Sequence, residues 1–224
     1  MENILENYDL FIFDLDDTLL MTEKIHNKAW NITLSNYLKK DFYLDFSKYC
    51  SIFHCKTKDR IKKYLVEELL LENFDEVINN KNNLFLELIK LDKPSLNIGA
   101  ELLLRKIVEL NKKFVIVTNS PLLTVEYVLS VFPLLSLCDK YYYREMFKNK
   151  KPDPECYLKI CDDYPNKKKI GFEDSITGVH ALCQVDEIYP VFINLEDYYH
   201  YRYIMETYNV KNIKNFEELF LPNN

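Results

Sequence analysis

Glycine is nearly absent from this chain of 224 residues; Gly99, Gly171 and Gly178 are the only three. Neither GxxxxGK[ST] nor GxGxxG occurs, which excludes the glycine loops that cradle nucleotide phosphates. No apolar run approaches the roughly 18 residues of a membrane span. The opening stretch, MENILENYDL, is acidic and polar and lacks the basic start and apolar core of a secretory signal. The six cysteines, at 50, 55, 138, 156, 161 and 183, show no CxxC spacing. They read as reduced thiols of a cytoplasmic protein rather than as a disulfide framework or a zinc site. Positive charge is thin as well. The net charge is −6 and the lysines form only short runs, so the basic stripe of a nucleic-acid binder is missing. The expectation is a cytoplasmic monomer or weak dimer with neither a nucleic-acid nor a membrane partner.

Apolar residues make up 48% of the chain, enough for a full core. The length suits one large domain, or a core domain with an insertion. Residues 8–15, YDLFIFDL, form a short continuous apolar run, the pattern of a strand buried on both faces. From Glu23 to Asp92 only helical patterning follows, as in residues 29–38, 59–71 and 82–91. After Pro94 the pattern alternates. Helices are predicted over 99–110, 121–132 (with Pro121 as the first helical residue), 154–164 and 175–185, the last capped by Ser175. Strands are predicted over 114–120, 139–144, 168–174 and, last, 189–194. Alternation of this kind implies a parallel α/β sheet, and the helical block then reads as an insertion after the first strand. The tyrosine-rich segment 197–208 reads either as a ligand surface or as a helix packing its aromatics on the sheet.

In a parallel sheet the carboxyl ends of the strands share one edge, where ligands bind. Three predicted strands end there in polar groups: Asp14-Leu15-Asp16, Thr118-Asn119-Ser120 and Glu173-Asp174. Lys151 lies in a loop, KKPDP, that leads into a helix. Each group alone has an ordinary explanation, since acidic residues cap helices and most lysines are solvated. Their joint occurrence at one kind of strand end is what points to a site. Asp14, Glu173 and Asp174 offer the hard oxygen ligands that suit Mg²⁺, which also accounts for carboxylates crowded together. Thr118 and Lys151 can donate to phosphate oxygens. Asp14 is placed to attack phosphorus, and Asp16 to exchange a proton with the leaving oxygen and with water.

These stretches resemble the haloacid dehalogenase superfamily of phosphohydrolases. FDLDDTL is similar to its DxDx[TV] motif, VIVTNS to its second motif, KKPDPECY to the KPxPxxY form of its third, and GFEDSITG to its acidic fourth motif. The resemblance covers about residues 8 to 195. It implies a Rossmann-like α/β core with helices on both faces, residues 1–20 and 94–224, and an inserted α-helical cap, residues 21–93. It implies Asp14 as nucleophile and metal ligand, and Asp16 as general acid/base whose carbonyl also meets the metal. It implies Thr118, Asn119 and Lys151 around the phosphoryl group, and Asp174 on Mg²⁺ with Glu173 beside it. Dehalogenase members lack the second aspartate, so Asp16 implies phosphoryl transfer. The substrate expected is a small phosphorylated metabolite, a sugar phosphate or a nucleotide.

Thr22, His26, Ala29 and Trp30 also match a TxxxHxxAW spacing of the β-phosphoglucomutase-like branch, in which the threonine and histidine sit at the cap hinge and support the acid/base aspartate. The resemblance implies His26 as a substrate-site residue, and the alternative is a helix with an ordinary histidine and a core tryptophan. Two departures stand out. That branch carries a phosphate-gripping arginine where this chain has Thr57, with Arg60 the nearest arginine, although Lys56, Lys58 and Arg60 can make a basic cap face. Asp17 stands where the family often has glycine. A phosphatase is therefore the first expectation, a phosphomutase the second, and a non-catalytic binding module on the same fold the third.

Overall fold

A computed structural model describes residues 4–54, 56, 58–194, 199–208 and 210–220. Six strands form one sheet: β1 (Leu10–Phe13), β2 (Lys113–Val117), β3 (Lys140–Tyr142), β4 (Lys169–Glu173), β5 (Ile188–Ile193) and β6 (Lys211–Ile213). All adjacent strands are parallel, in the order β3-β2-β1-β4-β5-β6. The helices, in chain order, are α1 (Ile4–Asn7), α2 (Glu23–Leu38), α3 (Phe46–Ile52), α4 (Lys58–Lys63), α5 (Phe74–Asp92), α6 (Ala100–Glu109), α7 (Leu122–Val131), α8 (Glu155–Asp163), α9 (Ile176–Leu182) and α10 (Tyr199–Tyr208). The chain divides into two compact units, Met1–Leu20 with Leu96–Asn224, and Met21–Ser95.

In the sheet unit, side chains alternate across β1 as the pleat requires. Leu10 and Ile12 join Val115 and Val117 of β2 under Tyr157 and Ile160 of α8 and Ala181 and Leu182 of α9. On the opposite face Phe13 stacks on Phe172 of β4 at 4.9 Å between centroids. It meets Phe114 and Phe216 edge-on at 6.3 and 5.7 Å. The register sets Phe13 beside Ile116 and Phe172. The residues that follow β1, β2 and β4 therefore emerge side by side.

Three features differ from the expectation. Pro121 is the N-cap of α7, not its first residue: its ψ of 157° is extended, and its carbonyl accepts from the N–H groups of Thr124 and Val125. Residues 189–194 are not the last strand, because β6 pairs with β5 beyond them. The tyrosine-rich stretch forms α10, with residues 197 and 198 outside the described part. Its anchor is Ile204, buried against Val179 and Phe192, whereas Tyr203 is 64% exposed. Tyr208 packs against the same cluster. Gly99 has a φ of +77°, and a Cβ there would lie 2.5 Å from the backbone nitrogen of Glu217.

The inserted unit is helical. Ala29, Trp30 and Leu34 of α2 and Val77, Phe85 and Ile89 of α5 are among its buried residues. Trp30 stacks on Phe53 at 4.0 Å. Asn31 ties down the loop before α3, donating to the Leu44 carbonyl and accepting from the Leu44 N–H at 3.0 and 2.7 Å. After α4 one wide turn, Tyr64–Glu68, carries i→i+5 bonding, as in Leu69 N–H to Tyr64 carbonyl. The residues at 55 and 57, including the Thr57 aligned with the mutase arginine, lie outside the described residues. No helix among the described residues is long and apolar enough to cross a membrane. Cys50, Cys138, Cys156, Cys161 and Cys183 are free thiols.

Phe13 is fully enclosed by three rings, so Phe13→Ala leaves a cavity at the centre of the sheet. A loss of about 3–5 kcal/mol is expected. Chemical denaturation read at the sheet unit checks it; a loss below about 1 kcal/mol would mean that the ring stack collapses to fill the gap.

Candidate active site

β1 is the strand at which the chain reverses direction through the sheet. β2 and β3 lie to one side of it, and β4, β5 and β6 to the other. At such a switch point two loops part and leave a crevice at the carboxyl edge. Asp14, the first residue past β1, bonds through its N–H to the Phe172 carbonyl of β4 at 3.1 Å. Asp14, Lys151, Glu173 and Asp174 are all buried, and Glu173 is fully enclosed.

Lys151 organises the cluster. Its Nζ donates to Asp14 Oδ1 at 2.6 Å, to Glu173 Oε1 at 2.6 Å and to the Val117 carbonyl at 2.9 Å. An ammonium has three N–H donors, so all are committed. Burial works against its charge, but Asp14 and Glu173 outweigh burial and hold the lysine above its ordinary pKa. Glu173 Oε1 accepts a second bond from the Tyr157 hydroxyl, and Ser175 Oγ approaches Oε2 at 3.4 Å. Ser175 also caps α9, accepting from the Gly178 N–H.

Asp174 is held from another side. Thr18 Oγ1 donates to its Oδ1 at 2.9 Å, and the Thr18 carbonyl accepts from the Asn97 amide at 3.0 Å. Asp16 is less buried. Its Oδ2 accepts from Ser120 Oγ at 2.6 Å and from Thr118 Oγ1 at 3.3 Å. The Ser120 N–H donates back to Thr118 Oγ1 at 2.9 Å. Asn119 is exposed, and its Oδ1 accepts from the Lys151 backbone N–H at 3.3 Å. Asp17 takes a left-handed φ of +56°, the region that glycine enters freely and aspartate tolerates, so the departure from the family pattern is accommodated.

One oxygen each from Asp14, Glu173 and Asp174 lies within 4.8 Å of the others. Burial first, then the neighbouring carboxylates, raises both Asp14 and Asp174 well above the usual carboxylate range. Three buried carboxyl groups face a single ammonium in this cluster. A divalent cation with a preference for oxygen balances that excess, so the residues fit such an ion.

The sequence-predicted residues Asp14, Asp16, Thr118, Asn119, Lys151, Glu173 and Asp174 thus gather at one edge of the sheet unit. His26 belongs to the helical unit. It stacks on Phe85 at 3.8 Å, and its Nδ1 accepts from Lys81 Nζ at 2.7 Å. Burial first, then Lys81 and His54, lowers its pKa well below the ordinary value. Lys58 pairs with exposed Asp75 at 3.1 Å, and α4 has no buried residue, as in a solvated helix start. Three site residues escaped the sequence reading, Thr18, Asn97 and Tyr157, and Ser120 was placed at a strand tip without a role. Tyr157 and Ser120 lay inside quoted motifs, but nothing in the pattern assigned their hydroxyls a partner.

The sheet order and the carboxylate cluster at its switch point define a Rossmann-like α/β enzyme. The description "Haloacid dehalogenase-like hydrolase" matches residues 11–183, and the chain belongs to that family of hydrolases. A phosphorylated carbohydrates phosphatase of Thermotoga maritima is 28% identical over 195 residues, covering 83% of this chain and 86% of that protein. Among solved structures, a family IA HAD hydrolase of Entamoeba histolytica superposes with a TM-score of 0.77 at 22% identity, covering 94% of each chain. A β-phosphoglucomutase of Clostridium difficile superposes with a TM-score of 0.71 at 22% identity, covering 95% of this chain and 93% of that one.

Two outcomes follow from this geometry. A Cβ on Gly178 would lie 1.9 Å from Glu173 Oε2. Alanine favours a helix by about 1 kcal/mol over glycine, yet Gly178→Ala is expected to lower the melting temperature, because the clash falls on an enclosed carboxylate. A higher melting temperature would mean that Glu173 can move aside. His26 stays neutral in the fold while the unfolded chain takes up its proton near pH 6.5. Its contribution is therefore present above that pH and is lost as pH falls below it. Thermal melts at pH 7.5 and 5.5 are expected to show a loss in acid that is smaller in His26→Asn; equal losses would place the titration elsewhere.

Proposed function

We propose that the protein is a Mg²⁺-dependent phosphatase acting on a small phosphorylated metabolite, a sugar phosphate, through an aspartyl-phosphate. The observation that carries this reading is the Lys151 ammonium locked on Asp14 inside a buried carboxylate cluster at the switch point. The phosphorylated carbohydrates phosphatase among its relatives supports the substrate class.

Asp14 is the nucleophile. Its carboxylate oxygen bonds to phosphorus as the ester P–O bond breaks, and the leaving alkoxide takes a proton from Asp16. Asp16 then removes a proton from water, whose oxygen attacks phosphorus and releases phosphate and Asp14. Asp16 suits both steps because it is less buried than Asp14 and accepts hydrogen bonds from the hydroxyls of Ser120 and Thr118. Lys151 offsets the charge of Asp14 before attack. Once Asp14 carries the phosphoryl group, the N–H now accepted by Oδ1 can turn to a phosphoryl oxygen. Thr118 can do the same with the hydroxyl that it now donates to Asp16. Asp14 and Asp174, with the Asp16 carbonyl, would hold Mg²⁺, which would supply charge neutralisation at the phosphoryl oxygens. The reading gives the helical unit the role of selecting the substrate.

Phosphate release from a panel of sugar phosphates, nucleotides and simple esters tests this. The wild-type protein is expected to hydrolyse at least one sugar phosphate with added Mg²⁺. Asp14→Asn is expected to lose more than about a thousandfold, since an amide cannot take the place of the attacking carboxylate. Activity surviving that substitution would exclude Asp14 as nucleophile.

A further inference from the structure

The buried hydroxyl of Tyr157 has no part in the chemistry described above. The residue is 1% exposed and is the third residue of α8, six positions beyond Lys151. One segment, KPDPECY, therefore supplies both a loop lysine and a helix tyrosine, and Glu173 reaches between them from the end of β4. The contacts form a closed set. Lys151 Nζ and the Tyr157 hydroxyl both donate to Glu173 Oε1. The same Nζ lies 5.3 Å from the Tyr157 ring centroid, within cation–π range. The other carboxylate oxygen is walled in by Ser175 and by the bare Cα of Gly178.

Glu173 has two competing uses. It can stay on the ammonium of Lys151, or a small shift can take it toward Asp14 and Asp174, one oxygen of each of which already lies within 4.8 Å of one of its own. In the first use Lys151 is held against Asp14. In the second the lysine loses one of its three acceptors. A second donor on Oε1 biases the carboxylate toward the first, because leaving Oε1 would then break two charge-assisted bonds rather than one. The tyrosine ring also fills the space beneath the ammonium, which the lysine would otherwise use to withdraw.

We propose that Tyr157 is a positioning residue that holds Glu173 as the counter-ion of Lys151, so that Lys151 stays on the nucleophilic aspartate. Tyr157 touches neither substrate nor the reacting atoms. Its effect passes through two carboxylate contacts, and it falls on the turnover step rather than on substrate capture. The proposal rests on the phosphatase reading above.

The test compares the wild-type protein, Tyr157→Phe, Glu173→Gln, their double variant and Asp14→Asn on the sugar phosphate that the panel shows to be turned over, with thermal melts of each. Phenylalanine keeps the ring and removes only the hydroxyl. The expected result is a fall of about tenfold in kcat, the scale of one hydrogen bond to a charged group, with KM and melting temperature close to wild type. The double variant should lose no more than Glu173→Gln alone, since Tyr157 acts through Glu173. A kcat equal to wild type, a loss carried equally by KM, or losses that multiply in the double variant each overturns the proposal. Should Tyr157→Phe lose its cooperative melt, 3-fluorotyrosine at position 157 replaces it, altering the acidity of the hydroxyl alone. A changed kcat at constant KM then supports the proposal, and an unchanged kcat overturns it. A wild-type protein without activity, or an Asp14→Asn variant as active as wild type, overturns the phosphatase reading and this inference together. An active wild type with an unaffected Tyr157→Phe overturns the inference alone.

Discussion

The buried ammonium of Lys151 between Asp14 and Glu173 is the constraint on which the rest of this structure turns. Moving a charge of this kind out of water costs several kcal/mol, and the attraction of its partners repays that only with close geometry and no donor left over. Both conditions hold, with two carboxylates at 2.6 Å and a main-chain carbonyl for the third proton. Removing either carboxylate would strand a charge in a dry pocket. Such a pair is seldom kept for stability alone, since apolar residues of the same volume pack as well or better. Its presence points to chemistry, and several local features follow from it. β1 has to end one residue before Asp14, β4 has to bring Glu173 alongside, and α9 has to carry a residue lacking a side chain in its first turn, where Glu173 passes.

That last requirement gives the scarcity of glycine a meaning. A chain with three glycines keeps one at Gly178, where a methyl group would overlap the Glu173 carboxylate. It keeps none at position 17, where the left-handed backbone is carried by an aspartate instead. The difference is physical. At position 178 the obstacle is a neighbouring atom, which no other residue avoids. At position 17 the obstacle is only a torsional cost, which aspartate meets more cheaply than most residues.

Much of the fold was legible because a buried parallel strand has a distinct pattern: a short apolar run bounded by polar residues, as in the stretches that became β1, β2 and β4. β6 was not, because it has three residues and only Ile213 is deeply buried, too little for any period to register. The wide turn at Tyr64–Glu68 was invisible because a shift to i→i+5 bonding changes the backbone ladder without changing the apolar spacing. In the site, the charged residues were legible since charge at a strand tip is unusual. Tyr157 and Ser120 were not. A tyrosine at a helical core position reads as packing, and a serine after a strand reads as a cap. Only the third dimension shows where their hydroxyls point. His26 lay between these cases: its spacing marked it, and its environment within the helical unit, stacked on Phe85 and bonded by Lys81, holds it neutral.

Glu173 and Asp174 show how finely such a site is divided. They are adjacent, both acidic and both buried, and residue type alone gives no reason to treat them differently. The two carboxylates take different hydrogen-bond partners, although one oxygen of each lies within 4.8 Å of an oxygen of Asp14. Glu173, the last residue of β4, points toward the Tyr157 side and needs its extra methylene to reach the ammonium. Asp174 points toward Thr18, whose carbonyl is fixed in turn by Asn97. A swap of the two residues would keep the composition and the charge. It would leave the shorter carboxylate facing Lys151 and the longer one crowding Thr18. The order Glu-Asp at this strand end is therefore a geometric specification, in which the longer acid holds the lysine and the shorter one completes the carboxylate pair with Asp14.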